Sequence, residues 1–237
     1  MNRYQLVVFD MAGTTVTDRH EVEQCFAEAA AQTGLTATPE RILAVQGQAK
    51  RYVFEMLWRE QLGPANPQLP DRVTASYHRF TEILETHYLT HPITPTEGCL
   101  EAFTYLQKQG IQIALTTGFY RKVTDIILDK LGWLKGLDHR YVGTKQAIIQ
   151  ASIASDEVPQ GRPEPFLIQR AMQLLGVTDP ATVVNVGDTP SDLLSGRAAG
   201  VGLNLGVTNG THSRRQLATY PHDALLNSLG ELAGLLA

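Results

Sequence analysis

Two hydrophobic patterns alternate along the chain. Residues 6–9 (Leu-Val-Val-Phe) are apolar without interruption, and similar runs follow at 111–115, 182–186 and 201–205. A run that is apolar at nearly every position predicts a strand buried on both faces. Before each of the later runs stands a stretch of helical character, at 97–109, 165–175 and 190–199. Each of these is followed by a glycine: Gly110, Gly176 or Gly200. Glycine just past the last turn is a helix stop signal. Helices alternating with buried strands predict a parallel sheet covered on both faces, an α/β fold of three layers.

Residues 17–92 break that rhythm. They hold no good strand and read instead as amphipathic helices: 21–33 stopping at Gly34, one opened by Thr38-Pro39, then 50–61 and 71–89. Thr38 is a natural N-cap and Pro39 suits the first helical position. Pro92 and Pro95 close the stretch. A helical insert of this size predicts a second small domain, 17–92, set into a sheet domain made of 1–16 and 93–237.

Open parallel sheets bind ligands where their strands end. After the first strand comes Asp10-Met11-Ala12-Gly13-Thr14-Thr15, and after the second Thr116-Thr117-Gly118. The run near 186 leads into Gly187-Asp188-Thr189-Pro190-Ser191-Asp192, and Gly161-Arg162-Pro163 opens the helix before it. Three carboxylates, a pair of hydroxyls and a guanidinium are thus placed to converge. That set suits phosphoryl transfer: a carboxylate attacks phosphorus, a cation offsets charge, and Mg²⁺ bridges nucleophile and substrate. Each residue also has an ordinary use. Asp10 could end a strand, Asp188 and Asp192 could serve a helix N-terminus, Thr117 could cap a helix, and Arg162 could be a surface cation. Those ordinary uses would have to coincide at every strand end.

Taken in order, these pieces resemble the four motifs of the haloacid dehalogenase superfamily. The resemblance implies a Rossmann-like α/β core with an inserted helical cap. It makes Asp10 the nucleophile and gives Thr117 a phosphoryl oxygen. Arg162 would steady both, with Thr116 and Gly118 beside the substrate. It also implies Mg²⁺ held by Asp10, Asp188 and the carbonyl of Ala12, with Asp192 supporting the metal site.

Ala12 is an informative departure. Most phosphatases of the superfamily have an Asp there, which protonates the leaving group and contributes roughly 10²–10⁴-fold in rate. The runs Asp-Met-Ala-Gly-Thr-Thr, Thr-Thr-Gly-Phe and Gly-Arg-Pro resemble the phosphonoacetaldehyde hydrolase (phosphonatase) branch. Those enzymes cleave a carbon–phosphorus bond through a lysine imine, and their leaving group is an enamine. Gly47-Gln48-Ala49-Lys50 matches the Gly-x-x-Lys of that cap. Lys50 shares a helical stripe with Val53, Phe54 and Leu57. Apolar surroundings, a helix N-terminus and the neighbouring Arg51 would all lower its pKa. Three roles stay open for Lys50: an imine-forming base, a cation for the far end of a substrate, or a surface lysine lying over an apolar face.

Other positions differ from that branch. Its Cys, Met, His and Tyr stand here as His20, Gln46, Val53 and Phe119. The sheet domain therefore resembles phosphonatase more closely than the cap pocket does, with Gly47 and Phe119 expected at the substrate. The expectation is a hydrolase of a small phosphonate, with a small phosphate ester as the alternative. A dehalogenase would not need Asp188 and Asp192. A receiver domain has no cap, and a homologue that only binds ligand has Ala12 in its favour and the intact nucleophile against it.

Composition narrows the partners. The 237 residues are 43% hydrophobic and 19% charged, with a formal net charge of −4. No basic field invites nucleic acid or an anionic membrane. Cys25 and Cys99 make no disulfide framework, so the cytoplasm is the simpler expectation. The partner expected is a small molecule, and a homodimer stays open. His78, His87, His91, His212 and His222 show no metal-site spacing, Lys145 is expected to be structural, and Trp58 and Trp133 are expected in the core or between domains.

Overall fold

The computed structural model describes residues 3–236. Six parallel strands form one sheet: β1 (Leu6–Asp10), β2 (Gln112–Thr116), β3 (Ala151–Ile153), β4 (Val183–Gly187), β5 (Leu203–Val207) and β6 (Ala224–Leu226). Their order across the sheet is β3-β2-β1-β4-β5-β6. The chain leaves β1 in one direction through β2 and β3, then returns to the far side of β1 for β4. The strand order reverses at β1, and a crevice opens there at the carboxyl edge.

Side chains of β1 point alternately to two cores. Leu6 and Val8 pack with Leu167, Ile168 and Ala171 of α7 (Phe166–Leu175). Val7 and Phe9 belong to the other core, with Phe103 and Leu106 of α5 (Cys99–Gln109). Trp133 is buried in that core 5.3 Å from Phe103. The helix α8 (Pro190–Ala199) lies against β4, β5 and α7. Both faces of the sheet are covered, as its apolar strands require.

The expected strand starts are one or two residues early, for a common reason. Ile111 and Val201 follow the helix-stopping glycines, and their amides bond back to Leu106 and Gly196. They close the preceding helix and do not open the strand. Thr182 belongs to a 3₁₀ turn capped by Asp179. The short strands β3 and β6, and the helix α6 (Arg121–Lys130), add to the expected elements. Among the described residues, those directly before Lys145 form no strand. Val142 and Gly143 make only isolated bridges, and Lys145 is exposed.

Between β1 and α5 stand only helices: α1 (Glu21–Thr33), α2 (Pro39–Ala44), α3 (Lys50–Leu62) and α4 (Leu69–Thr90). Thr38 caps α2 by accepting from the amide of Arg41. The long α4 packs along α1 and α3. Phe26 stacks on Phe54 at 4.3 Å, with Phe80 edge-on to both at 6.0 Å. Burying each such ring is worth about 1.5–3 kcal/mol, and the three belong to the same buried cluster as Phe9, Phe103 and Trp133. Trp58 lies in it, its Nε1 donating to Ser76 Oγ at 2.9 Å. The two crossings to the sheet run side by side, with the amide of Thr17 bonded to Thr94 and that of Thr96 to Thr15. No helix among the described residues is long and apolar enough to cross a membrane.

Candidate active site

Two strand ends and a helix start bring the acids together. Asp10 is the last residue of β1, and Asp188 follows β4 directly. Asp192 sits in the first turn of α8. There Oδ2 accepts from the amide and hydroxyl of Thr189 at 3.0 and 2.6 Å, completing a capping box. One oxygen from each of Asp10, Asp188 and Asp192 lies within 4.8 Å of the others, and all three residues are buried. Asp192 thus serves its helix and faces the cluster as well.

Arg162 enters this cluster fully desolvated. Its Nη1 donates to Asp10 Oδ1 at 2.5 Å and lies 2.9 Å from Asp192 Oδ1. Its Nη2 donates to Thr116 Oγ1 at 2.6 Å. The hydroxyl of Thr116 is therefore turned to Arg162, and Thr116 lines neither of the cavities below. Thr117 stands closer to open space. Its amide donates to Ile153 and its Oγ1 accepts from the amide of Phe119 at 3.1 Å, which leaves its hydroxyl proton to be donated.

One guanidinium against three buried carboxylates leaves a surplus of negative charge. Burial pushes the carboxyl of Asp10 well above its usual range. The charge of Arg162 pulls it back, and Asp192 and Asp188 raise it further. Burial likewise lifts Asp188 to about 6, with the charge of Asp192 adding to it. Hydrogen bonds from Thr211 and Thr14 oppose that shift. Thr211 donates its amide and hydroxyl to Oδ2, each at 2.6 Å, and Thr14 donates to Oδ1 at 3.0 Å. Asp192 Oδ1 has no aligned hydrogen-bond donor. Converging hard oxygens and uncompensated charge together fit a divalent cation such as Mg²⁺.

Two cavities abut at this edge. A small one, about 30 Å³, is lined by Asp10, Ala12, Asp18, Gly47, Thr117 and Thr189 among others. A larger one, about 490 Å³, runs past Lys50, Tyr77, Tyr120 and Arg162. Gly118 and Phe119 line both. Phe119 is buried against Tyr88, ring centres 5.8 Å apart.

The loop before α3 reaches down onto the sheet edge. Ser191 Oγ donates to the carbonyl of Gln46 at 3.0 Å. Gly47 has φ +79°, and a Cβ there would stand 2.5 Å from Thr189 Oγ1. A Cβ on Gly118 would stand 2.8 Å from the carbonyl oxygen of Gly47. Two glycines therefore permit this contact of loop on loop. Lys50 opens α3 at its far end, 7% exposed. Its Nζ donates to Gln46 Oε1 at 3.2 Å and to the carbonyl of Gln48 at 3.4 Å. Burial brings its pKa down to about 8, against the opposing charges of Asp18 and Asp10. Val53, Phe54 and Leu57 of the same stripe are buried, whereas Arg51 is exposed over the ring of Tyr77.

Several neighbours of these groups escape sequence reasoning. Thr14 and Thr211 hold Asp188, Gln46 holds Lys50, and Asp18 shares the cavity of Asp10. The loop at 208–212 follows the last strand, a place expected to border the site but with no role assigned by the sequence; its Thr211 anchors Asp188 with two hydrogen bonds. Thr14 and Thr211 are far from Asp188 in sequence, and no local pattern marks them; Gln46 is only four residues from Lys50. His20 is exposed beside Glu23. His212 is buried, its ring close to the carbonyl of Leu43.

Residues 4–200 match the family described as haloacid dehalogenase-like hydrolase. A phosphonoacetaldehyde hydrolase of Bacillus cytotoxicus is 35% identical over 220 residues, covering 86% of this chain and 77% of that one. A phosphonoacetaldehyde hydrolase-like protein from Oleispira antarctica superposes with a TM-score of 0.81 at 18% identity, over 99% of this chain and 91% of that one. A protein of Haemophilus somnus described as a predicted phosphoglycolate phosphatase gives 0.75 at 17% identity, over 100% of both chains.

Proposed function

The chain belongs to the haloacid dehalogenase-like hydrolases, and from that premise we propose that it is a Mg²⁺-dependent, phosphonatase-like hydrolase of a small phosphonate such as phosphonoacetaldehyde. Residues 17–92 act as its cap and the remainder as its core. The observation that carries the proposal is Lys50: buried, lowered in pKa, and lining a cavity that abuts the one around Asp10.

In this reading Asp10 attacks phosphorus and takes up the phosphoryl group, and water then cleaves the aspartyl phosphate to inorganic phosphate and free Asp10. Arg162, already bonded to Asp10, holds the nucleophile and offsets charge on the phosphoryl oxygens. Thr117 donates its free hydroxyl proton to one of those oxygens, and Gly118 lets the cap loop close over them. Asp10, Asp188, Asp192 and the carbonyl of Ala12 would hold Mg²⁺, which when bound draws negative charge from nucleophile and substrate. Lys50, as a free amine, condenses with the aldehyde, so that the carbon side accepts the electron pair of the broken bond. Phe119 and Gly47 close the site against water.

A second reading follows from the partners of Lys50. Two oxygens, from Gln46 and Gln48, accept from Nζ, and such bonds favour the ammonium. A charged Lys50 would hold the far anion of a small phosphate ester. The test is phosphate release with and without Mg²⁺, from phosphonoacetaldehyde and from a panel of small esters, by the native chain, Lys50→Arg and Asp10→Asn. The proposal expects phosphonate turnover that both substitutions abolish. Ester turnover that survives Lys50→Arg and is lost in Asp10→Asn would replace it with the second reading.

A further inference from the structure

Ala12 leaves the site without the acid that most phosphatases of this superfamily place there, and the atom that leaves phosphorus still needs a proton. Asp18 stands on the segment between β1 and α1, half-buried, and lines the same small cavity as Asp10 and Ala12. Its Oδ1 accepts from the amides of Glu21 and Val22 at 2.8 and 3.4 Å, which fixes the carboxyl at the start of α1. On its other side is the carboxyl of Glu21, which faces a surface groove with His87 and His91. Asp18 therefore spans the distance between the reaction cavity and a carboxylate open to water.

We propose that Asp18 is the catalytic acid that protonates the atom leaving phosphorus. The assignment rests on the hydrolase reading above. As Asp10 forms its bond to phosphorus, the bond from phosphorus to carbon breaks and its electron pair enters the enamine on Lys50. The terminal enamine carbon then takes the proton of Asp18, which restores the iminium for hydrolysis by water to the aldehyde and free Lys50. With an ester, the leaving oxygen takes the same proton as its bond to phosphorus breaks. The Asp18 carboxylate regains a proton from water by way of Glu21.

The electrostatics suit a donor. Burial lifts the carboxyl of Asp18 to about 7, helped by the hydrogen bond and charge of Glu21 and by the charge of Asp188. Lys50 on α3 faces it with the opposite charge. Glu21 moves the other way: burial raises its pKa, but the hydrogen bond from Asp18, those from the amides of Glu21 and Arg19 and the charge of His87 together bring it below its usual value. A carboxylate that only capped α1 would be held in its charged form.

The test compares leaving groups. Phosphate release from phosphonoacetaldehyde, a small alkyl phosphate and p-nitrophenyl phosphate is measured for the native chain, Asp18→Asn and Glu21→Gln, each across pH. Asparagine keeps an oxygen for the α1 amides, and melting temperature checks the fold. Asp18→Asn should slow the phosphonate or alkyl substrate by about a hundredfold or more and flatten the alkaline limb of the pH profile. It should leave p-nitrophenyl phosphate, whose leaving group needs no proton, near the native rate. Glu21→Gln should move the alkaline limb to lower pH. Equal losses on all substrates, or an unchanged alkaline limb in Asp18→Asn, would overturn the assignment while leaving the hydrolase standing. A native chain that releases phosphate from none of them would overturn both.

Discussion

Gly47→Ala is the sharpest perturbation of the contact between cap loop and sheet edge. The backbone there is left-handed, φ +79°. A residue with a Cβ gives up about 1–2 kcal/mol in that conformation. The methyl would also stand 2.5 Å from Thr189 Oγ1 and 3.2 Å from Ser191 Cβ. Thr189 cannot yield easily, because its hydroxyl donates to Asp192 Oδ2 at 2.6 Å and caps α8. The loop must therefore retreat by about 1 Å to reach ordinary contact. Lys50 and Gln46 move with it, and a displacement of that size at a reacting centre costs on the order of a hundredfold in rate.

The strain and the displacement can be separated. Gly34, at the end of α1, has φ +82°, and a Cβ there would meet nothing within 4 Å. Gly34→Ala should carry the strain alone. Both variants should melt lower, by roughly 2–8 °C for 1–2 kcal/mol in a chain of this size. Only Gly47→Ala should lose phosphate release. Thermal melts beside steady-state phosphate release decide the matter. Native turnover in Gly47→Ala, or equal loss in both variants, would show that the loop contact does not position the site.

Two further outcomes follow. Mg²⁺ at a hundred times its dissociation constant should stabilise the native chain by about 2.7 kcal/mol, read as a higher melting temperature; Asp188→Asn should lose that gain, and an equal rise in the variant would remove Asp188 from the metal site. Lowering the pKa of a base enlarges its neutral fraction, so borohydride trapping of phosphonoacetaldehyde on Lys50 should rise as pH climbs through about 8; a mass adduct that persists in Lys50→Arg would place the imine elsewhere.

The sequence announces some elements and hides others, and burial explains which. The strands β1, β2, β4 and β5 each have a strand on both sides, so their residues are apolar in a row and stand out. At the sheet edges, β3 and β6 have three residues and one neighbour each, too short for any period to emerge. The errors at the starts of β2 and β5 arise because an apolar residue after a helix-stopping glycine serves the helix. Apolar character alone does not distinguish closing a helix from opening a strand. In α6 the buried residues Val123, Thr124, Ile127 and Leu128 do keep helical spacing. That signal is present in the sequence, but it directly follows Thr117-Gly118, where the chemistry of the motif overshadows it.

The site divides along similar lines. Asp10 and Asp188 are legible because strand ends in a parallel sheet converge whatever loops join them, and Arg162 because it leads into a helix at that same edge. Their pairing with Thr14, Thr211 and Thr116 is not, since each bond depends on how a loop settles at the sheet edge. Lys50 lies between these cases. Its stripe of Val53, Phe54 and Leu57 marks which face is buried, but leaves open whether the lysine lies over that face or turns inward, as it does in the structure. What it meets there is set by Gln46, four residues earlier and one turn away only because α3 begins where it does. The same holds for Asp18. Near a helix start an aspartate reads as a cap, and it is one. Its second role depends on a cavity whose other walls come from β1, from the turn after β2 and from the loop at Gly47. Convergence at a sheet edge can be read from one chain's order of elements, but the proton inventory of the resulting cavity requires the packing between them.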